Sequence, residues 1–420
     1  FGCGSKDSGD SNDGSDSSDD GTVYTISWAH SSSTNDRLAL ATEKMAAELE
    51  EASNGRLKIE HYPASQLGAE REILEGVALG TIDCGIISSG VVAGFSNSVY
   101  VTNMPYLIDD REIGWKVYDG EFGQMLGQKT EEEGGWKFLG WCDNSLRMFS
   151  NTKHEIQTPA DMVGLKIRTQ ENDIHMAIVN SLGASATPVA FSELYTALQQ
   201  GTIEGQENPP STLLANGWYE VQDYLAMTNH QIAMNFVLFN EDFYNSMSPE
   251  DQAVVDEASA AFVQKQLELF QQAMVDDVET LQEYGLEVTY PDREEMKAAG
   301  SGVIDEYRSE YPEFDDIMTK ITEDTQDYTN CKSAMDSIAA DPNFGSAFLG
   351  GQNHIALFAE VAPTIDMSNA GPYDQGCNET FQSCFKDYFD GTVDLETAKK
   401  NFEDQIKVKY PELSSVEWPA

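Results

Sequence analysis

Strand-like and helix-like segments alternate from Thr22 onward, and this alternation restricts the chain to a small group of folds. TVYTISW has a strand pattern, the next segment carries Leu38, Met45 and Leu49 at helical spacing, and RLKIEHY alternates again. AEREILEGVALG then has a helix pattern and TIDCGIIS a strand pattern. This β-α-β-α-β order predicts a mostly parallel sheet with helices on its faces.

A second alternating set begins at GLKIRT (164–169), so we expect two α/β lobes. Leu165 and Ile167 alternate there with Lys166 and Arg168, which is the pattern of a short half-buried strand. The helix-like segment NDIHMAIVNSLG follows. Open α/β sheets bind ligands beyond the carboxyl ends of their strands, and Arg168 lies at such an end.

The charge balance excludes several classes of partner. The 420 residues include 72 acidic and 25 basic side chains, which gives a net charge of −47. Nucleic acid binding needs clustered Lys and Arg, and no apolar run reaches the roughly 18 to 20 residues of a membrane-spanning helix. We therefore expect a globular protein without a nucleic acid partner, whose highly solvated surface suits a salty medium or a cell exterior. An anionic ligand would have to be held by a few local cations.

Signatures of catalysis and metal binding are missing from the sequence. The six histidines occur singly, without an H-E-x-x-H motif or a pair at metal-ligand spacing; they are His30, His61, His154, His175, His230 and His354. There is also no G-x-S-x-G motif, no P-loop, and no G-x-G-x-x-G that opens a helix after a strand. We predict a protein that is not an enzyme and that uses no metal ion or cofactor.

The amino terminus resembles a lipid anchor. Phe1-Gly2-Cys3 is similar to the end of a bacterial lipoprotein signal, in which a small residue precedes the cysteine that receives the lipid. Because the sequence begins with Phe1 rather than Met, we expect that a signal peptide has been removed. Residues 4–21 are almost wholly Gly, Ser, Asp and Asn, a composition that cannot bury apolar surface. We expect a lipidated Cys3 and a flexible tether over residues 1–21, although Cys3 also fits an ordinary exposed thiol.

Several long motifs between about Tyr24 and about Asp327 resemble one transporter family. TPADMVGLKIRT, ASATPVAFSELYTALQQGTIEGQENPP and WYEVQDYLAMTNHQ are similar to the solute-binding subunits of tripartite ATP-independent periplasmic (TRAP) transporters, the dicarboxylate and sialic-acid binding group. The resemblance implies a periplasmic-binding-protein type II-like α/β fold, in which two lobes joined by a long hinge helix close over a small carboxylate. Residues 22–327 would form this domain, with the second lobe at about 147–235. A TRAP membrane permease would be the partner, outside the cytoplasm.

The resemblance also implies ligand-binding roles for four residues. The family's carboxylate-clamping arginine falls on Arg168, its second basic residue on Arg147, its G-Q-E-N-P asparagine on Asn208 and its ligand-packing aromatic on Phe191. A guanidinium holds a carboxylate through two parallel hydrogen bonds, and an asparagine amide donates to an anion without adding charge. From spacing alone, Arg168 is more typical of a surface residue at a strand end, Asn208 of a turn before Pro-Pro, and Phe191 of a core.

Two kinds of ligand remain candidates. Sialic-acid-binding members carry an acid and a base where this chain has ISSGVVAG (87–94), so sialic acid is not expected, and Ser88 is a candidate hydroxyl contact. Glu171 lies close to Arg168 and would repel a second acidic group, unless Glu171 binds ligand hydroxyls or pairs with Arg147. Both a C4-dicarboxylate and a monocarboxylate with hydroxyls, such as a sugar acid, are therefore open.

Residues 328–420 resemble a different family. FGSAFLGGQNHIALFAEVAPTIDMSN and the segment after it are similar to the carboxyl-terminal part of sugar-binding proteins of ATP-binding-cassette (ABC) transporters. Phe381, Phe385 and Phe389 recur at four-residue steps, so we expect a helical extension. An ABC-type sugar-binding lipoprotein is the alternative function. Disulfide connectivity stays open among the remaining cysteines, which are Cys84, Cys142, Cys331, Cys377 and Cys384.

Overall fold

The computed structural model describes residues 22–108, 110–312 and 315–326, together with positions 397, 399–402 and 405. The chain divides into two compact units, residues 1–328 and 329–420, and the fold below belongs to the first. Several predictions fall outside the described residues: the lipid on Cys3, the tether over residues 1–21, the pairing of Cys331, Cys377 and Cys384, and most of the extension at 328–420.

The described residues of the first unit alternate between strands and helices, as the α/β prediction requires. The strands are β1 (Tyr24–His30), β2 (Leu57–Tyr62), β3 (Cys84–Ser88), β4 (Trp136–Asn151), β5 (Lys166–Thr169), β6 (Ser185–Pro188), β7 (Gly205–Asn208), β8 (Tyr224–Asn240) and β9 (Glu287–Thr289). The helices are α1 (Arg37–Ala52), α2 (Glu70–Leu79), α3 (Ser89–Val92), α4 (Arg111–Asp119), α5 (Glu121–Gly134), α6 (Asp173–Ser181), α7 (Leu194–Gln199), α8 (Pro210–Ala215), α9 (Glu241–Ser246), α10 (Pro249–Glu283), α11 (Arg293–Gly300) and α12 (Gly302–Glu310).

These strands form one sheet in the order β2-β1-β3-β8-β4-β7-β5-β6, with β9 beside β8. β1 is parallel to β2 and β3, and β5 is parallel to β6 and β7, as the alternating patterns predict. Between the two parallel sets lie β4 and β8, which pair antiparallel with each other and with their outer neighbours. The prediction of a mostly parallel sheet is therefore correct for β1–β3 and for β5–β7. It does not include the antiparallel pairing of the central strands β4 and β8.

The two central strands, β4 and β8, are the longest described strands of the sheet. β4 has 16 residues and β8 has 17, which corresponds to about 50 Å at about 3.3 Å per residue. Every residue of β8 from His230 to Asn240 is buried. A strand that is buried on both faces has no alternation of polar and apolar residues, so its sequence lacks the period-two pattern that reveals the outer strands.

Helix α10 extends from the first parallel set of strands to the second. It has 35 residues, about 50 Å in length, and packs against α1 beside the first parallel set, against β4, and against α8 beside the second set. Arg37 of α1 donates two hydrogen bonds to Asp277 of α10, at 2.8 and 2.6 Å. Neither α10 nor any other described helix is long and apolar enough to cross a bilayer. The two-lobed fold with a long hinge helix is thus confirmed.

We use "first lobe" for the region of β1–β3 and α1–α3, and "second lobe" for the region of β5–β7 and α6–α8. Cys84 of the first lobe and Cys142 of the central β4 are buried, free thiols. Burial raises the pKa of both thiols. Because the thiolate is the reactive form, both cysteines serve as apolar core residues.

Candidate functional site

A cavity of about 230 Å³ lies where the first lobe faces the second lobe. Its walls come from the start of α2, from α3, from the end of β5 and from the segment after β6. The lining residues are Ala69, Glu70, Arg71, Glu72, Val91, Arg168, Gln170, Glu171, Val189, Ala190 and Phe191. The cavity therefore lies beyond the carboxyl end of β5, which is the position that an open α/β sheet predicts for a ligand.

Arg168 is the buried cation of this cavity. Its side chain is only 1% exposed, whereas Lys166, two residues earlier on β5, is exposed. Its Nε donates a hydrogen bond to the carbonyl oxygen of Val189 at 2.8 Å, while its Nη1 is buried without a hydrogen-bond partner among the described residues. The expectation from spacing alone, a surface residue at a strand end, is wrong, because the walls of the cavity cover the side chain.

Arg168 keeps its positive charge although its side chain is buried. Burial lowers the pKa of the guanidinium to about 10, and Glu207 acts in the opposite direction. Arg168 is therefore still protonated at neutral pH. A buried cation with an unsatisfied N–H group is costly unless an anion pairs with it, so this corner of the cavity favours a carboxylate.

Arg147 lies nearby on β4, but its charge is already matched. Its Nε and Nη2 both donate to the carboxylate of Glu207 on β7, with Nη2 at 2.8 Å from Oε1, and both side chains are 2% exposed. Glu171, by contrast, is exposed and lies 3.9 Å from Arg71. The alternative in which Glu171 pairs with Arg147 is therefore wrong, because the strand order places Glu207 beside Arg147 instead.

Two histidines complete the surroundings of Glu207. His175 Nδ1 lies 3.3 Å from one carboxylate oxygen and His230 Nε2 lies 3.5 Å from the other. Burial by itself raises the pKa of Glu207, but Arg147 and then His175 outweigh burial and hold this pKa well below its ordinary value. Burial also lowers the pKa of both histidines, although Glu207 opposes that shift. At neutral pH the group therefore contains Arg147 and Glu207 as ions and two neutral imidazoles.

The other residues proposed from the resemblance lie at different distances from the cavity. Phe191 lines it and packs on Trp218, with ring centroids 5.2 Å apart, and Glu171 lines its edge. Asn208 is buried and donates to Gln206 Oε1 at 2.6 Å. Asn208, Arg147 and Ser88 are all buried just outside the lining. The structure thus brings Arg168, Glu171 and Phe191 together on one wall.

Sequence reasoning missed the acidic wall that faces Arg168. Glu70 begins α2, and its two carboxylate oxygens accept hydrogen bonds from Ser31 at 2.7 Å and Ser88 at 2.6 Å. Gln170 and Arg71 also line the cavity without having been predicted. The only sequence signal was the position of Glu70 and Arg71 within the AEREIL motif, at the start of a helix-like segment.

The cavity contains two different kinds of binding group, a cation and a hydrogen-bond acceptor. Arg168 offers a buried cation at one wall, and Glu70 offers carboxylate lone pairs, which accept hydrogen bonds from hydroxyl groups, at the facing wall. In the part of the chain that the structure describes, no group of three or more histidine, cysteine or carboxylate side chains is placed to hold a metal ion. The cavity can therefore bind a small organic acid that carries hydroxyls.

Comparisons with known proteins point to one family. Residues 28–310 match DctP, described as bacterial extracellular solute-binding protein, family 7. The chain is 32% identical over 304 residues to the 2,3-diketo-L-gulonate-binding periplasmic protein YiaO of Escherichia coli, which covers 71% of this chain and 92% of that protein.

Solved structures agree with this match. A TRAP periplasmic solute-binding protein from a Polaromonas species, bound to D-erythronate, superposes with a TM-score of 0.68 at 30% identity, covering 71% of this chain and 98% of that one. Another from Anaerococcus prevotii, with bound D-glucuronate, has a TM-score of 0.70 at 28% identity, covering 72% of this chain and 99% of that one.

Replacing Glu207 should expose how much the buried ion pair stabilises the fold. Glu207→Gln leaves Arg147 buried without a counter-ion, so we expect a loss of about 3 to 5 kcal/mol in the free energy of unfolding at pH 7. The pKa of Glu207 is lower in the folded than in the unfolded chain, so its contribution is complete above about pH 4.5 and is lost as the pH falls further. Denaturant unfolding of both proteins from pH 7 to pH 3 measures the difference.

The exposed Glu193, also in the second lobe, provides the control for this experiment. Glu193→Gln should leave the free energy of unfolding within about 0.5 kcal/mol of the wild-type value. A Glu207→Gln protein as stable as the wild type at pH 7 would contradict the role of the pair.

Proposed function

Because the chain belongs to family 7 of the bacterial extracellular solute-binding proteins, we propose that its cavity captures a hydroxylated monocarboxylate of the sugar-acid type and that the loaded protein delivers this ligand to a TRAP membrane permease. The family consists of solute-binding transport proteins, so the chain is a binding protein and not an enzyme. Its place of action is outside the cytoplasm.

The observation that carries this proposal is the buried Nη1 of Arg168 in the cavity wall, for which the described residues provide no hydrogen-bond partner. A ligand carboxylate at this position would receive a charge-assisted hydrogen bond from a guanidinium that is already held in place by Val189. Phe191 would contact the carbon skeleton of the ligand. Asn208 on β7, the strand beside β5, and Arg147 on β4, the strand beyond β7, are proposed as further contacts.

The distribution of charge favours one carboxylate over two. Glu207 already neutralises Arg147, and Arg71 at the edge of the cavity lies within 4 Å of both Glu75 and Glu171. A second carboxylate on the ligand would also meet Glu70 and Glu171, whose charges repel it. Hydroxyl groups can instead donate to these oxygens, with Ser88 helping to hold Glu70. The sugar acids bound by the related structures support this choice over a C4-dicarboxylate.

The proposal places the binding function in residues 22–327, with a second lobe at about 147–235, and leaves residues 328–420 as a helical extension. The alternative, an ABC-type sugar-binding lipoprotein, depends on that extension alone, and the family match ends before it, at residue 310. Cys3 would carry a lipid, and the following stretch of Gly, Ser, Asp and Asn would tether the domain to the membrane.

The lipid anchor can be tested directly. We expect the wild-type protein in the membrane fraction with a lipid on Cys3, and Cys3→Ser in the soluble fraction, because a covalent acyl chain provides the membrane affinity. Mass analysis of the amino-terminal peptide from bacterial membranes measures the modification. An unmodified Cys3 on the membrane-bound wild-type protein would contradict the anchor.

A thermal-shift screen separates the ligand classes. A ligand that binds only the folded state stabilises it by RT ln(1 + [L]/Kd), about 2.7 kcal/mol at 100 times Kd. We expect D-glucuronate, D-galacturonate and D-erythronate to raise the melting temperature more than succinate or neutral D-glucose does. Stabilisation by D-glucose alone would favour the ABC-type alternative, and stabilisation by succinate alone would favour a dicarboxylate.

Arg168→Lys tests the carboxylate clamp. Lysine keeps the charge but loses the planar fork, so the affinity for a sugar acid should fall by about 2 to 5 kcal/mol, or roughly thirtyfold to several thousandfold. Isothermal titration with each acid and with its methyl ester measures this loss. Arg308→Lys, which changes a partly exposed arginine outside the cavity, is the control and should bind like the wild type. Equal binding of the ester and the free acid by the wild type would rule out the clamp.

A further inference from the structure

A chain of two hydrogen bonds ends on Glu70. Gln170 Nε2 donates to Ser88 Oγ at 2.8 Å, and Ser88 Oγ donates to Glu70 Oε2 at 2.6 Å. Gln170 and Ser88 are each 7% exposed, so water has little access to either group. The direction of the chain is fixed, because an amide N–H can only donate and an ionised carboxylate can only accept. The single hydroxyl proton of Ser88 is thereby directed at Glu70.

These two consecutive hydrogen bonds connect the two lobes. Ser88 ends β3 in the first lobe and Gln170 follows β5 in the second, and three strands, β8, β4 and β7, separate β3 from β5 in the sheet. A second bond crosses beside it, from Asn172 Nδ2 to the carbonyl oxygen of Gly90 at 2.9 Å. The donor to Ser88 is therefore present only while the lobes are in contact.

Gly90 has no side chain, and the amide of Gln170 occupies the space where one would lie. A Cβ atom at position 90 would lie 1.9 Å from Gln170 Oε1, which is far inside van der Waals contact. The backbone of Gly90 is not in the left-handed region, so glycine is needed here for space and not for its conformational freedom. A side chain at position 90 would therefore displace the Gln170 amide from its present place.

We propose that Ser88 and Gln170 are positioning residues, which hold the Glu70 carboxylate so that its free lone pairs accept ligand hydroxyls, and that Gln170 acts through Ser88 only in the closed protein. This inference rests on the proposed function. Ser31 holds the other oxygen of Glu70 from within the first lobe and does not depend on closure. The preference for ligands with hydroxyl groups is thus fully established only when the lobes close. The interaction of Arg168 with the ligand carboxylate does not depend on the bond between Gln170 and Ser88.

The test compares each hydroxy acid with its hydroxyl-free counterpart. The pairs are D-glucuronate against tetrahydropyran-2-carboxylate and D-erythronate against butanoate, and the selectivity is the ratio of the two dissociation constants, measured by titration or competition. Ser88→Ala should lower the selectivity about tenfold, the loss expected for one hydrogen bond to a charged group. Gln170→Ala should lower it less, because Ser88 can still donate to Glu70. Any weakening that comes from the lost contact between the lobes should affect all the acids alike, and the ratio of the two dissociation constants removes this common effect.

A double-mutant cycle separates action through Ser88 from direct contact with the ligand. If Gln170 acts through Ser88, adding Gln170→Ala to Ser88→Ala causes no further loss of selectivity. In the matched background Ser31→Ala, which also removes one hydrogen bond from Glu70, the effect of Gln170→Ala should persist in full. Gly90→Ala should reproduce the effect of Gln170→Ala, because its methyl group displaces the amide without touching Ser88.

Two results would overturn the inference: unchanged selectivity in Ser88→Ala, or additive losses from Ser88→Ala and Gln170→Ala. Arg168→Lys distinguishes these from a failure of the proposed function. If Arg168→Lys weakens all the acids while Ser88→Ala keeps the selectivity, only the positioning role is wrong. If the wild type binds neither hydroxy acid, or if Arg168→Lys binds both as the wild type does, the proposed function is wrong and the inference falls with it.

Discussion

The buried ion pair of Arg147 and Glu207 determines the electrostatics of the binding site. Arg147 lies on β4, Glu207 on β7 and Arg168 on β5, and β7 is the middle strand of these three. Both oxygens of Glu207 accept hydrogen bonds from Arg147, while burial lowers the pKa of Arg168 and the charges of Glu207 and Glu70 act to raise it. One of these two buried arginines is therefore paired with a carboxylate, while Nη1 of the other has no hydrogen-bond partner among the described residues. The selectivity that we propose, for a single carboxylate, rests on this unequal pairing.

The same pairing explains how a protein with a net charge of −47 can hold an anion. Repulsion from distant surface carboxylates is screened beyond a Debye length of about 8 Å at physiological salt. A buried guanidinium interacts with its partner at short range, where the local dielectric constant is lower and the attraction is stronger. The acidic surface thus affects solubility and the approach of a ligand, whereas in the proposed function one buried cation, Arg168, provides the attraction at the site.

The contacts between the lobes are suited to opening and closing. Next to the cavity they include hydrogen bonds from Gln170 to Ser88 and from Asn172 to Gly90, and the exposed ion pair of Arg71 and Glu171. When the lobes separate, these groups can exchange one another for water, so the net free energy of each bond is small, about 1 kcal/mol. The elements β4, β8 and α10 lie between the two lobes or contact both of them, and so connect them. Closure can therefore be driven by a small ligand.

The sequence by itself determined the α/β class and most of the outer elements. Hydrophobic periodicity and turn residues are local properties: α1 ends just before Asn54 and Gly55, whose positive φ angles of 52° and 82° stop the helix. The family resemblance singled out Arg168 and Phe191, and the short distance in sequence from Arg168 singled out Glu171; all three line the cavity. Only the tertiary structure decided the rest. The central strands β4 and β8 escaped prediction because burial on both faces erases periodicity. The partners of Arg147 and Gln170 lie 60 and 82 positions away, and such contacts depend on strand order and lobe packing, which the local pattern of residues does not encode.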